Sequence, residues 1–232
     1  MRVAVLCDVH GCLVPLEAVL YEVERESADT IVLGGDSVAG PRPAETLARL
    51  RELGDRALWL RGNADREPGE WVSGQLSAAD LEFLATLPDV QRLDVDGLGP
   101  TLFCHGSPRS DEEILTAVTP TERLREILAD VRERVVVCGH THHQFDRDVD
   151  RWRVLNAGSV GMAYEGRPGA HWALLGPNVD LRRTEYDVER AERDWLASGY
   201  PDADEVAETL FRSTPSADEV AEHFERLAAE AT

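Results

Sequence analysis

The chain opens with three short apolar runs, each of which ends abruptly in a cluster of glycine and polar residues. The runs cover residues 3–6, 31–33 and 57–60, and the segments between them carry apolar residues at the spacing of amphipathic helices. This β-α-β-α-β opening predicts parallel strands joined by right-handed crossovers. Ligands of such sheets bind beyond the carboxyl ends of the strands. We therefore expect the polar residues at the three ends to share one site.

The following sequence, up to residue 184, predicts mainly strands. Hairpins are expected over 90–103, 145–155 and 171–183, a buried strand over 135–137 and a helix over 77–87. A further helix is predicted to extend to about Val131, with Thr119 as its N-cap, Pro120 at its first position and Glu122 three residues after the cap.

From Glu185 onward the chain becomes acidic and rich in alanine. Its last 48 residues hold 14 acids and 4 arginines, and so contribute −10 to a formal net charge of −20. The pattern predicts a main domain over 1–184 and an acidic helical extension over 185–232 that packs on it. A broad basic surface for nucleic-acid duplexes is not expected in so acidic a chain.

Several further classes of protein are disfavoured. No apolar run approaches the roughly 20 residues of a membrane span, and Asp8 comes too early for a secretory signal, so we expect a cytoplasmic protein without a membrane partner. The chain contains no lysine, which excludes Schiff-base chemistry and the lysine of the phosphate-binding loop. Its four cysteines form no Cys-x-x-Cys pair.

Seven side chains follow predicted strand ends and are of types that bind divalent metal ions through oxygen or imidazole nitrogen. They are Asp8, His10, Asp36, Asn63, His105, His140 and His142. Each has an ordinary explanation when taken singly, as a turn residue or a buried histidine. Together they exceed the four ligands of a tetrahedral ion and suit two ions that share a carboxylate, about 3.5–4 Å apart.

The seven residues lie in five ordered motifs. These are Asp8-Val9-His10-Gly11, Gly34-Gly35-Asp36, Gly62-Asn63-Ala64-Asp65, Cys104-His105-Gly106 and Gly139-His140-Thr141-His142. The set resembles the motifs of the calcineurin-like metallophosphoesterases, and the loop Asn156–Gly161 resembles one in their small prokaryotic phosphodiesterase branch. The resemblance spans about residues 1–178.

The resemblance implies an α/β (α+β) fold, a four-layer αββα sandwich of two mixed β-sheets flanked by helices, here followed by the acidic helical appendage. It also implies two divalent transition-metal ions, and Mn, Fe, Zn, Ni and Co all suit mixed nitrogen and oxygen ligands. The implied partition assigns Asp8, His10 and His142 to one ion, Asn63, His105 and His140 to the other, and Asp36 as the bridge. A hydroxide that bridges the ions would attack phosphorus.

Ala64 departs from the family pattern. Many members have a histidine at this position, which protonates the leaving oxygen, and without it Asp65 would have no partner to orient. No other catalytic side chain is assigned, so we expect protonation to be weak or to come from water, which favours acidic leaving groups. Arg66 and Arg109 follow the third and fourth motifs, where each could contact phosphate or form a surface salt bridge.

Together these features favour a dinuclear metal-dependent phosphoesterase that acts on small phosphodiesters. A phosphomonoesterase, or a phosphatase of proteins or nucleotides, could use the same site, although an alkoxide leaving group would need the protonation that Ala64 cannot give. A metal-free protein-interaction scaffold of the same fold is the alternative from another class, and the seven intact ligand positions argue against it. The sequence also permits the acidic extension to form an oligomer interface.

Overall fold

Two five-stranded mixed sheets form the centre of the structure, a computed structural model that describes residues 1–230. The strands are β1 (Val3–Leu6), β2 (Thr30–Leu33), β3 (Ala57–Trp59), β4 (Val90–Val95), β5 (Gly99–Cys104), β6 (Val135–Cys138), β7 (Gln144–Val149), β8 (Trp152–Ala157), β9 (Ala170–Leu175) and β10 (Val179–Thr184). Sheet one has the order β10-β9-β1-β2-β3, and sheet two the order β4-β5-β6-β8-β7. Strands β1, β2 and β3 run parallel in sheet one, as do β5, β6 and β8 in sheet two.

Helices cover the outer faces of both sheets and form the C-terminal extension. They are α1 (Leu13–Arg25), α2 (Pro43–Arg51), α3 (Asn63–Arg66), α4 (Glu70–Gln75), α5 (Ala78–Ala85), α6 (Thr121–Leu128), α7 (Val188–Ala197), α8 (Ala203–Ala207) and α9 (Ala217–Glu230). A π-helical turn, Glu208–Arg212, continues directly from α8. The apolar pattern did not predict the short helices α3 and α4. Within residues 1–230, none of the helices is long and apolar enough to cross a lipid bilayer.

Strand β1 shows how the layers are built, because successive side chains of a strand point to opposite faces. Val3 and Val5 pack between the two sheets, in one buried cluster with Phe103 of β5. Ala4 and Leu6 face the other way and pack with the buried side of α1. On the far side, α6 packs its own apolar face against sheet two. The expected four-layer αββα sandwich is therefore confirmed.

The acidic extension contacts the sandwich at both of its ends. Trp195 of α7 is 1% exposed and packs with Cys12, just before α1. Near the end of the extension, the carboxylate of Glu225 in α9 accepts hydrogen bonds from the hydroxyls of Thr116 and Thr119. The domain boundary at residue 184 stays a prediction, while these contacts connect the extension closely to the sandwich.

The prediction of Thr119 as an N-cap was wrong. Helix α6 begins at Thr121 after Pro120, without a side-chain cap, and it ends at Leu128 rather than Val131. The hydroxyl of Thr119 instead accepts the backbone N–H of Thr116 at 2.8 Å and donates to Glu225. A partner more than a hundred residues away in sequence thus determines the role of this threonine.

Candidate metal centre

The seven predicted ligands meet at one edge of the sandwich. Parallel strands place their carboxyl ends on the same side, and the motifs follow β1, β2, β3, β5 and β6 in turn. Five of the seven are buried, with Asp8 fully so, while Asn63 and His140 are partly exposed. We call these seven side chains the candidate metal centre.

One half of the candidate metal centre is formed by Asp8, His10 and His142. Their ligand atoms all lie within 4.8 Å of one another. The Nε2 atom of His142 is 3.3 Å from Oδ1 of Asp8 and 3.1 Å from Nε2 of His10. This spacing would allow all three atoms to bind one ion.

The other half contains Asp36, His105 and His140, whose ligand atoms also lie within 4.8 Å of one another. Nε2 of His105 is 3.4 Å from Oδ2 of Asp36 and 3.1 Å from Oδ1 of Asn63. The same Oδ2 atom of Asp36 lies 3.7 Å from Nε2 of His10 in the first half. Asp36 therefore stands between the two halves, where a bridging carboxylate would be needed.

Backbone carbonyl groups determine which nitrogen of three imidazoles faces the centre. The Nδ1 atoms of His10, His105 and His142 lie 2.8–3.0 Å from the carbonyl oxygens of Ala39, Gly34 and Met162, respectively. A carbonyl can only accept, so each Nδ1 carries a hydrogen, and in the neutral form of each ring the lone pair of Nε2 points inward.

Positive charge is needed where these lone pairs meet. Two neutral rings would bring the Nε2 lone pairs of His10 and His142 within 3.1 Å of each other with no hydrogen between them. In residues 1–230, the buried Oδ1 of Asp8 has no hydrogen-bond partner either. A cation satisfies both groups, so the residues of this half fit a metal ion, and the group around Asp36 offers a second position.

Burial and neighbouring charges shift the pKa values of three of these imidazoles, in different directions. Burial, reinforced by the charge of His105, lowers the pKa of His140 to about 4, and burial also lowers that of His10. These imidazoles stay neutral at pH 7, as metal ligands must. Burial alone would lower the pKa of His105, but the carboxylates of Asp36 and Asp8 raise it to about 10. The two buried carboxylates therefore attract positive charge.

The backbone at the strand ends adopts a rare conformation. Five of the seven residues have positive φ, between 48° and 66°: Asp8, His10, Asp36, His140 and His142. Such a conformation costs about 1–3 kcal/mol per residue and is typical of functional sites, and aspartate and histidine tolerate it better than most residues. Sequence reasoning missed this feature, for which clustered aspartate and histidine directly after strands would have been the signal.

Two glycines allow the loops to approach the aspartates closely. A Cβ atom at Gly62 would lie 2.1 Å from Oδ1 of Asp36, and one at Gly139 would lie 2.6 Å from Oδ2 of Asp8. No larger residue fits at either position without displacing a carboxylate. The glycines beside the predicted ligands thus provide space for them.

Asp65 has partners that the sequence did not reveal. Its buried carboxylate accepts the backbone N–H of Ser37 at 2.9 Å and that of Gly62 at 3.1 Å. Burial and the charge of Asp36 raise the pKa of Asp65 to about 7. With Ala64 in place of a histidine to orient, Asp65 instead connects the second and third motifs through their backbones.

The loop Asn156–Gly161 makes hydrogen bonds to the backbone of two motifs that carry predicted ligands. The side-chain amide of Asn156 donates to the backbone carbonyl oxygen of Gly139 at 2.6 Å. The hydroxyl of Ser159 donates to the backbone carbonyl oxygen of Asp8 at 2.8 Å. Just after this loop, the ring of Tyr164 stacks on His142 with the ring centres 5.1 Å apart. Sequence reasoning had assigned no role to Tyr164.

The two arginines after the motifs are paired with acids. Arg66 donates to Asp111 at 2.8 Å and to Glu112 at 2.7 Å. Arg109 donates to Glu113 at 2.8 Å. Of the two roles considered for them, the structure shows the surface salt bridge.

Comparison with known proteins yields one family and several relatives. Residues 1–177 match the family model described as calcineurin-like phosphoesterase superfamily domain. A symmetrical bis(5'-nucleosyl)-tetraphosphatase of Thioalkalivibrio sulfidiphilus is 27% identical over 210 residues, covering 76% of this chain and 77% of the relative. Phosphodiesterase YfcE of Escherichia coli is 26% identical over 189 residues, covering 75% and 87% of the two chains.

A solved structure is similar over almost the whole chain. The crystal structure of a metallophosphoesterase from Sphaerobacter thermophilus has a TM-score of 0.74 and 27% sequence identity, and the match covers 90% of this chain and 98% of that one. The similarity therefore extends beyond the residues of the family model into the C-terminal extension.

Proposed function

The chain belongs to the calcineurin-like phosphoesterase superfamily, and from this premise we propose that it hydrolyses small phosphodiesters with two divalent metal ions. The observation that supports this most strongly is the convergence of two three-residue groups of ligand type, with Asp36 between them. Two relatives named as a tetraphosphatase and a phosphodiesterase support the choice of substrate class.

The seven side chains of the candidate metal centre would hold the ions. Asp8, His10 and His142 face one position, and the remaining ligands are Asn63, His105, His140 and the bridging Asp36. Oxygen and imidazole ligands suit Mn, Fe, Zn, Ni and Co, and we propose Mn²⁺ as the first metal to test. When bound, the ions would lower the pKa of a water molecule and offset negative charge on the phosphoryl oxygens.

The protein's own residues set the protonation requirements of the reaction. Hydrolysis adds the oxygen of water to phosphorus and breaks one P–O ester bond, and the leaving oxygen must receive a proton. The methyl group of Ala64 cannot supply it, and the carboxylate of nearby Asp65 is occupied by two backbone N–H groups. We propose that solvent protonates the leaving group, so diesters with acidic leaving groups react fastest.

The substitution Asp36→Asn tests the bridging role. Because it removes the negative charge shared by both halves, we expect it to lose at least one of the two ions and to lower kcat/KM for an aryl phosphodiester by about 100-fold or more. The measurement is metal content per chain, after chelation and reloading with Mn²⁺, together with the hydrolysis rate. Asp94→Asn, on the exposed edge strand β4, is the matched control.

The outcomes separate the candidate functions. Two ions per wild-type chain and hydrolysis of diesters in preference to monoesters support the proposal. A wild-type protein that retains no transition metal and hydrolyses nothing supports the scaffold instead, and near-normal activity of Asp36→Asn would contradict the bridge. Preference for monoesters would indicate a phosphatase.

A further inference from the structure

A cavity of about 280 Å³ lies between the C-terminal extension and the segment that follows the loop Asn156–Gly161. Met162 and Tyr164 line it on the sandwich side. The extension lines the opposite side, with residues that precede, belong to or follow α8: Asp202, Glu205, Val206, Thr209 and Leu210. We call this space the extension cavity.

Two contacts connect the walls of the extension cavity to the candidate metal centre. The carbonyl oxygen of Met162 accepts a hydrogen bond from Nδ1 of His142 at 2.9 Å. The ring of Tyr164 stacks on the imidazole of His142, with 21° between the two planes. Both sandwich-side wall residues thus touch the predicted ligand His142, so the extension cavity lies one side chain away from the candidate metal centre.

The charge of the extension cavity is entirely negative. Of the described residues that line it, only Asp202 and Glu205 are charged. Both are exposed, so their carboxylates lie at the rim in contact with water rather than in the core. They repel a further negative charge that comes close, and the repulsion grows where solvent is excluded. Additional phosphate groups are therefore disfavoured here.

No arginine of residues 1–230 lines the extension cavity to offset this charge. Arg66 and Arg109, the two arginines that follow the motifs, are engaged by Asp111 and Glu113, among other acids. The remaining wall consists of apolar groups and the hydroxyl of Thr209. Such a surface suits a neutral organic group.

We propose that the extension cavity receives one uncharged ester group of a phosphodiester, and that Asp202 and Glu205 select against substrates with longer phosphate chains. The inference rests on the proposed function and adds a substrate class to it. The volume falls just below the roughly 300 Å³ at which pockets begin to bury drug-sized ligands, so the group is about the size of one ring system. The extension is thus a specificity element, and the π-helical turn Glu208–Arg212 presents Thr209 to the substrate.

The first experiment fills the extension cavity by the substitution Thr209→Trp. We compare kcat/KM for bis(p-nitrophenyl) phosphate and methyl p-nitrophenyl phosphate, using protein reloaded with Mn²⁺. A fall of about tenfold or more for the bis-aryl diester, with unchanged metal content, supports the inference. Unchanged rates for both diesters would overturn it. If Thr209→Trp folds poorly, the decision rests on the exposed acids.

The second experiment removes the negative charge with the double variant Asp202→Asn and Glu205→Gln. Asparagine also tolerates the positive φ of 57° at residue 202. We expect kcat/KM for a symmetrical dinucleoside tetraphosphate to rise about fivefold or more relative to that for bis(p-nitrophenyl) phosphate. Asp204→Asn, an exposed acid of α8 that does not line the cavity, should leave this ratio within about twofold.

The results distinguish failure of this inference from failure of the proposed function. A wild-type protein that hydrolyses no phosphodiester with any of the five metals contradicts the proposed function itself. If the wild type is active and the double variant has the same ratio of kcat/KM values for the two substrates, only the role of the extension cavity is contradicted. An equal rise in Asp204→Asn would show a general effect of net charge, and so would also overturn the selective role.

Discussion

Single side chains connect loops that are distant in the sequence. Asp65 accepts hydrogen bonds from Ser37, after β2, and from Gly62, after β3, through different oxygens of the same carboxylate. Ser37 directly follows Asp36, so this carboxylate helps to fix the position of the predicted bridge. Asp65 is thus a positioning residue for the candidate metal centre.

The substitution Asp65→Asn tests this positioning. Asparagine keeps the shape but replaces one accepting oxygen by an NH₂ group, which would face a backbone N–H. We expect the free energy of unfolding at pH 8 to fall by about 1–3 kcal/mol, the cost of an unpaired buried donor, and metal occupancy to fall with it. Urea denaturation and metal analysis measure the two effects. The control is Asp55→Asn at an exposed position, which should change the free energy of unfolding by less than about 0.5 kcal/mol. Wild-type stability and metal occupancy in Asp65→Asn would refute the positioning role of Asp65.

At the level of strands and helices, local patterns predicted most of the sandwich. The apolar period of β1 and α1 depends only on neighbouring residues, and so the sequence predicted both elements and the strand end at Asp8. The left-handed backbone of Asp8 was not predicted, because its N–H is bound by the carbonyl of Gly35 in another loop. Thr119 was misread for the same reason, since its partner lies in α9. Contacts between distant segments decided the features that the sequence did not reveal.

The junction after β3 offers a test of how closely these loops must approach. A methyl group at Gly62 would lie 2.1 Å from Oδ1 and 2.5 Å from the backbone nitrogen of Asp36. We expect Gly62→Ala to destabilise the fold by about 1–3 kcal/mol, as overpacking commonly does, and to reduce binding of both ions. Denaturation and metal analysis again give the readout.

Gly74 provides a matched control for Gly62. It lies in α4, where a methyl group would meet no atom of residues 1–230 within 4 Å apart from its chain neighbours and the backbone of its own helix. Gly74→Ala should therefore be neutral or stabilising by about 0.5–1 kcal/mol. Equal effects of the two substitutions would mean that the close approach of Gly62 to Asp36 is unimportant.

A hydrogen-bond network around Gln144, here called the polar clamp, connects the two sheets. Gln144 at the start of β7, in sheet two, donates to the carbonyl oxygens of Trp172 and Arg182 in sheet one. Its Oε1 atom lies 3.1 Å from Nδ1 of His171 in β9, which therefore acts as the donor. His171 is 5% exposed, so the clamp includes a buried imidazole.

This imidazole predicts a pH dependence of global stability. Burial, together with the positive charges of Arg183 and Arg167, lowers the pKa of His171 to about 4, from an unfolded value of about 6.5. Between these values the unfolded chain binds a proton that the folded chain does not, so the contribution of His171 is present above pH 6.5 and is lost as the pH falls toward 4. From pH 7.5 to 5.0 the expected loss is about 2 kcal/mol.

Substitution of His171 by asparagine should remove this loss, because its amide can still donate to Gln144 but does not titrate. The free energy of unfolding is measured in urea with a chelator present. From pH 7.5 to 5.0, we expect it to fall by about 2 kcal/mol less in His171→Asn than in the wild type. The chelator removes differences in metal binding between the two proteins. Exposed His223, replaced by asparagine, should follow the wild-type curve. Parallel curves for wild type and His171→Asn would show that acid sensitivity arises elsewhere, whereas a selective flattening would place it at the junction of the two sheets.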